Sequence, residues 1–407
     1  MKTKINKITL RTIVAILLVH LISIDILAVD RDSTSSKITH LIGIDLKPGY
    51  LFPSHEFFKG DNHAQRKMNS TRSGHLKYGF KFAPDSYLGS VYPYAIQGVG
   101  VGYNTFFNSS ELGNPLAVYI FQSSRIANIT QNLSFDYEWN FGASFGWKKY
   151  DEEKNSLNRV VGSATNAYIH LGFLLNWQLS SNTNLRGGIE LTHYSNGNTS
   201  YPNAGVNTIG ASIGVMRFFG NNEKSRYTLS QSRNHLFTPY MNYDLIFYGA
   251  TRMKGIFPED SNPMLVPGSF GIAGLNFNPL YNFSKHFRGG VSLDLQYDES
   301  ANIGKHIAND YIPGDSKDLK FYRPPFREQF SAGFSLRAEI VMPVFSINLG
   351  IGKNFLCKGD DTNSFYQTFV LKTNISDHVF LHTGYQLYRF TDPNNLMLGL
   401  GFRFNAK

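Results

Sequence analysis

Between Asn207 and Phe219 the chain reads NTIGASIGVMRFF. Ile209, Ala211, Ile213 and Val215 alternate strictly with Thr208, Gly210, Ser212 and Gly214. Successive side chains of a strand point to opposite faces, so this run has one apolar face and one small or polar face. The same period of two recurs in about sixteen segments along the chain. The first eight are near residues 40–52, 74–84, 95–108, 116–129, 133–150, 166–180, 183–197 and 207–219. The second eight are near 235–255, 269–284, 286–300, 329–343, 345–356, 366–377, 379–390 and 395–406.

What could bury so many apolar faces follows from the N-terminus. Lys2, Lys4, Lys7 and Arg11 precede an apolar run, Thr12 to Ala28, that ends in a small residue. This is the pattern of an export signal over residues 1–28. His20 and Asp25 within the run argue against a retained membrane helix, which needs about 20 mainly apolar residues. No later segment is long and apolar enough to cross as a helix. With 14% aromatic residues and 37 glycines, an exported chain of short alternating segments is expected to be all-β, an antiparallel transmembrane β-barrel in the outer membrane of a Gram-negative cell.

Charge and cysteine usage narrow the function. The formal charge of +9 loses four basic residues and one acid with the signal and falls to +6. That excess is scattered, and export argues against a nucleic-acid partner; basic residues near a bilayer suit anionic headgroups instead. The single cysteine, Cys357, excludes an internal disulfide. The 12 histidines show no zinc-like spacing, and neither a metal nor a cofactor is expected.

Connections between the segments alternate in length, as in barrels with short inner turns and longer outer loops. The brief turns are ITQN, SSNT, NFSK and NISD; the long polar ones include DEEKNSLNRVVGSATN. One inner connection, residues 220–234, is long and falls at the midpoint. It divides a first half, 29–219, from a second half, 235–407. The two halves echo one another, with Arg389 standing in the second where His193 stands in the first. A single barrel of about 14–16 strands is expected from the usual size of such proteins, with two tandem eight-stranded barrels as the alternative.

Candidate chemistry lies at the end of the seventh segment. Ile189, Leu191, His193 and Ser195 share one strand face, and Glu190 and Tyr194 lie on the other. The apolar row faces lipid, so His193 and Ser195 are expected on the barrel exterior at its outer end. Asn207 heads the lipid-facing row of the next segment, one hairpin away. Polar groups exposed to hydrocarbon are costly without partners, which calls for a reason. Nucleophilic catalysis supplies one: a Ser needs a neighbouring base, and the base needs a group that orients it. Residues two apart on a strand have α-carbons about 6.6 Å apart, a gap an imidazole can close. The loop 197–206, rich in Asn and Gly, offers donors for an oxyanion. A polar rim at headgroup level is the plainer alternative.

The stretch THYSNGNTSYPNAGVNTIGASIGVMRF resembles the catalytic hairpin of the lipid A 3-O-deacylase (PagL) family. His193, Ser195, Asn196, Pro202, Asn203 and Gly205 fall on the family pattern. The resemblance covers residues 187–219 closely and does not extend to the second half. It implies an outer-membrane serine esterase that removes an ester-linked acyl chain from lipid A. His193 would be the base, Ser195 the nucleophile, and Asn196 and Asn203 would support the site. At the family's acidic third position this chain has Asn207, and Glu190 points to the wrong face to replace it. The rival expectation is a non-enzymatic porin, transport or structural barrel.

Overall fold

A computed structural model describes residues 38–219, 237–256, 264–308, 319–390 and 392–405. The expected export signal and the whole of the expected linker, residues 220–234, lie outside the described residues. The strands β1 to β8 are Ile38–Leu51, Ser70–Phe82, Ile96–Thr105, Gly113–Asn128, Leu133–Trp147, Thr165–Gln178, Thr183–Ser195 and Val206–Phe219. They form an antiparallel barrel closed by β1 against β8, with Ile44 opposite Val215.

A second closed barrel is built from β9 (Tyr240–Arg252), β12 (Phe270–Asn282), β13 (Phe287–Asp298), β14 (Phe330–Val341), β15 (Phe345–Leu356), β16 (Phe365–Asn374), β17 (Val379–Tyr388) and β18 (Asp392–Asn405). Here β18 closes onto β9, with Leu400 opposite Phe247. A two-residue hairpin, β10 (Gly255–Ile256) with β11 (Met264–Leu265), lies in one of its loops.

The all-β barrel class is therefore as expected, but the single barrel of about 14–16 strands is corrected to two eight-stranded barrels. The reason is in the lumen. Eight strands leave an interior just wide enough for side chains to fill, whereas sixteen leave an aqueous channel. Tyr119, Tyr168, Phe121 and Lys77 of the first barrel are fully buried, as are Tyr366, Phe380 and Lys372 of the second. Strand alternation is the same in either case, so it does not reveal where a sheet closes.

Each lumen carries a charged network. In the first barrel Glu190 meets Lys47 at 2.9 Å and His170 at 3.0 Å. Glu138 meets Arg186 at 2.8 Å, and Lys77 bridges Glu138 and Asp45. In the second, Asp244 accepts bonds from Arg403 at 2.8 and 2.9 Å and from Lys372 at 2.9 Å. Outward, Ile42, Ile44, Leu46, Leu171, Leu191 and Ile213 stay exposed, forming a surface suited to lipid.

Above the first barrel's charges, an apolar cluster fills the end where the long loops emerge. Phe57, Phe58, Phe106, Leu112, Trp147, Val160, Tyr194 and Val206 belong to it. Loops 52–69, 106–112, 148–164 and 196–205 all leave from this end, whereas the opposite end has turns as short as 129–132 and 179–182.

Glu138 is the test of the lumenal network. Glu138→Ala leaves Lys77 and Arg186 buried with one anion fewer, and breaking such a pair costs about 3–5 kcal/mol. Urea unfolding in detergent is expected to show a clearly lowered midpoint; an unchanged midpoint would mean that the network does not hold the barrel.

Candidate active site

Strands β7 and β8 pair so that His193 stands directly opposite Asn207. Opposed residues of an antiparallel pair have Cβ atoms about 4.5–5.5 Å apart, close enough for short side chains to meet. The imidazole Nδ1–H donates to Asn207 Oδ1 at 2.7 Å. With its proton held there, the ring presents Nε2 as the basic nitrogen on its far side. Ser195 follows two residues later in the same lipid-facing row. His193, Ser195 and Asn207 are all half-buried. On β6, His193 and Ser195 stand opposite Ile169 and Ala167, and exposed Leu171, Leu191 and Ile209 lie in neighbouring positions. The polar group thus sits at the edge of an apolar surface. Glu190 lies inside the barrel, bound to Lys47 and His170, and is not a member of this group.

The loop after Ser195 is built by two asparagines on different segments. The backbone N–H of Asn196 donates to Asn203 Oδ1 at 3.0 Å. Two of the expected supporting groups are therefore tied to each other, and the Asn196 amide is engaged by the protein. Asn203 itself is bridged to Val161, and Ala204 N–H donates to the Val160 carbonyl at 3.2 Å. Loop 148–164 is in turn held by Asn158, which is fully buried. Its Nδ2 donates to the carbonyls of Glu111 and Lys148, both at 2.8 Å, and its Oδ1 accepts from the amides of Val160 and Val161. At Gly162 a Cβ would come within 2.5 Å of the Pro202 carbonyl oxygen, so only glycine lets the two loops approach.

From the lumenal side, the residue between His193 and Ser195 anchors the hairpin. Tyr194 is buried, packs its ring against Trp147 and Tyr168 at 5.1 and 5.5 Å, and donates from its hydroxyl to Asn104 Oδ1 at 2.9 Å. Gly205 supports the exterior side. Its φ of 74° is left-handed, and a Cβ there would lie 3.1 Å from His193 Cε1. Sequence reasoning named neither Tyr194 nor Asn158 as part of the site. The alternation places Tyr194 in the lumen, but nothing local marks a loop asparagine as buried.

The corresponding hairpin of the second barrel is different. Strand β17 pairs with β18 up to Tyr388 opposite Asp392, so only three residues connect them. Arg389 lies just past the strand end, and the connection is too short to supply a loop like 196–205.

A closed antiparallel barrel with a lipid-facing surface defines a β-barrel protein of the outer-membrane type, and its outward row carries a hydrogen-bonded His–Asn pair and a serine. The family model described as lipid A 3-O-deacylase (PagL) matches residues 126–216, which include His193, Ser195, Asn196, Asn203 and Asn207. The model described as acyloxyacyl hydrolase, C-terminal domain, matches residues 241–406. Each model matches less than half of the chain, and both describe ester hydrolases, the class to which this protein belongs. Comparison with curated proteins gave no match. Among solved structures, the outer membrane enzyme PagL is similar at 13% identity over 42% of this chain and 97% of that one, with a TM-score of 0.29. Neisserial surface protein A is similar at 9% identity over 46% of this chain and 100% of that one, with a TM-score of 0.30.

Gly205→Ala tests the support behind His193. The added methyl group presses on the imidazole, and displacing a catalytic group by about 1 Å costs up to 10²-fold in rate. Ester hydrolysis by the detergent-solubilised protein is expected to fall about ten- to a hundred-fold while the barrel remains folded. Unchanged turnover would show that His193 does not need this contact.

Proposed function

We propose that the protein is an outer-membrane serine esterase that removes the 3-O-linked acyl chain of lipid A in the outer leaflet. The observation that carries this reading is the 2.7 Å bond from His193 Nδ1–H to Asn207 Oδ1, in the lipid-facing row that also holds Ser195. The match of residues 126–216 to the lipid A 3-O-deacylase model supports the substrate class.

The chemistry follows from these groups. Ser195 Oγ attacks the ester carbonyl, and His193 Nε2 takes its proton. The carbonyl oxygen becomes an oxyanion, for which the carboxamide NH₂ of Asn203 is the candidate donor. The tetrahedral intermediate collapses by breaking the ester C–O bond, and His193 returns the proton to the leaving sugar oxygen. Water then attacks the acyl-Ser195 ester with His193 again as base, releasing the fatty acid and restoring the serine. An exterior site suits a substrate that diffuses sideways in the bilayer, because neither the acyl chain nor the headgroup has to enter a lumen.

Asn207 orients the imidazole as an acidic residue does but does not offset the charge of the imidazolium. In serine proteases the corresponding Asp-to-Asn change lowers kcat about 10⁴-fold, largely through the wrong tautomer. Here the Asn carbonyl already selects the Nδ1–H form, so the remaining deficit is electrostatic. The porin reading requires a pore, and the filled lumens of both barrels weigh against it.

Mass spectrometry of lipid A from cells producing each variant tests the proposal. Wild type is expected to remove one hydroxyacyl chain, and Ser195→Ala and His193→Ala none. Lipid A left intact by a folded wild-type barrel would reject the assignment. In a separate kinetic comparison, Asn207→Asp is expected to raise kcat about tenfold or more through charge stabilisation of the imidazolium. A fall in kcat would show that the site is built around a neutral third member.

A further inference from the structure

A second feature on the same side of the first barrel lies outside the catalytic group. A cleft of about 440 Å³ opens where β1 and β2 end beneath their connecting loop. Arg66, Lys67 and Arg72 line it with Pro48, Ser70 and Phe107, and no carboxylate is present in its wall. Arg72 belongs to the lipid-facing row of β2 that continues through Gly74, Leu76 and Tyr78. A charge in such a row is costly unless it sits at the interface with a counter-charge. Its guanidinium lies 5.3 Å from the centre of the Phe107 ring, which holds it at the cleft.

Among the described residues none of these three cations forms an ion pair. Loop cations of the second barrel behave otherwise: Lys254, Lys305 and Arg323 are paired with Asp361, Asp360 and Glu299. Three unpaired cations converging on one acid-free cleft at the lipid boundary make a receptor for an anion. The cleft is also close to the catalytic hairpin. Ile209, two residues from Asn207, lies in one cross-strand row with Tyr50 and Ser70. Strands in that row are about 4.8 Å apart, so the cleft begins roughly 10 Å from β8.

We infer that this cleft binds a phosphate group of the glycolipid headgroup whose acyl chain is presented to Ser195, with Arg66, Lys67 and Arg72 as its ligands. The inference rests on the proposed lipid substrate, and it makes the cleft a determinant of substrate affinity rather than of the chemical step. Arginine suits this role because its planar donors match phosphate oxygens, and a charge-assisted bond of this kind is stronger than a neutral one.

The test uses the full chain carrying Ser195→Ala, which binds without turning over, in phosphatidylcholine nanodiscs. Affinity is measured for phosphorylated lipid A and for the same lipid with its phosphates removed. Adding Arg66→Ala, Lys67→Ala and Arg72→Ala together is expected to weaken binding of the phosphorylated lipid roughly tenfold or more and leave the dephosphorylated lipid unaffected. Arg72→Lys in place of Arg72→Ala is expected to recover part of the loss, which a folding defect would not allow. In the active enzyme the triple change raises KM and leaves kcat as it was. Equal binding of both lipids, or a triple variant that binds like its parent, would overturn the inference. So would inorganic phosphate that binds as tightly as the lipid. If wild type binds with this discrimination but hydrolyses nothing, the cleft stands and the esterase reading fails. If hydrolysis is intact and the triple variant is kinetically unchanged, the reverse holds.

Discussion

A side chain on a membrane-spanning strand has only two places to go, the lumen or the lipid, and its parity along the strand decides which. Everything distinctive about this protein depends on that constraint. Glu190 and Tyr194 fall on the lumenal parity of β7, where one joins Lys47 and His170 and the other packs on Trp147. His193 and Ser195 fall on the lipid parity, beyond Ile189 and Leu191. The pairing of β7 with β8 then sets Asn207 opposite His193. A slip of one residue would move these groups to the lumen and bring the charged network out to the bilayer. The charges and aromatic rings that fill the lumen therefore also secure the position of the site.

Because parity is a local property, much of the fold was legible in the sequence. All sixteen barrel strands lie close to the alternating segments, and the short turns at 129–132 and 179–182 fall where ITQN and SSNT stand. Closure was not legible. Whether β8 meets β1 or continues into β9 depends on pairing between residues far apart in the chain, and the outward row Ile209, Ala211, Ile213 and Val215 reads alike in both arrangements. The hairpin β10–β11 was missed because strands of two residues carry no period.

The candidate site divides along the same line. The shared face of His193 and Ser195 and their convergence with Asn207 follow from spacing and one hairpin, and the structure brings His193 and Asn207 into contact. The bond between the Asn196 amide and Asn203 Oδ1 does not follow from spacing, because it depends on loop 148–164 folding over Asn158 and on the absence of a side chain at Gly162. Arg66, Lys67 and Arg72 read as ordinary basic residues until the fold gathers them on one cleft. Within the first barrel the candidate site and the cationic cleft lie at one end, which suits a substrate with a greasy body and an anionic head.

Labelling with an alkyl fluorophosphonate, followed by peptide mapping of the folded protein in detergent, tests the central claim most directly. The reagent reacts with a serine only where a base activates it. The expected result is one adduct, on Ser195, that disappears in His193→Ala while the barrel stays folded. An adduct on a different residue, or hydrolysis of lipid A by a protein whose Ser195 remains unlabelled, would contradict the account.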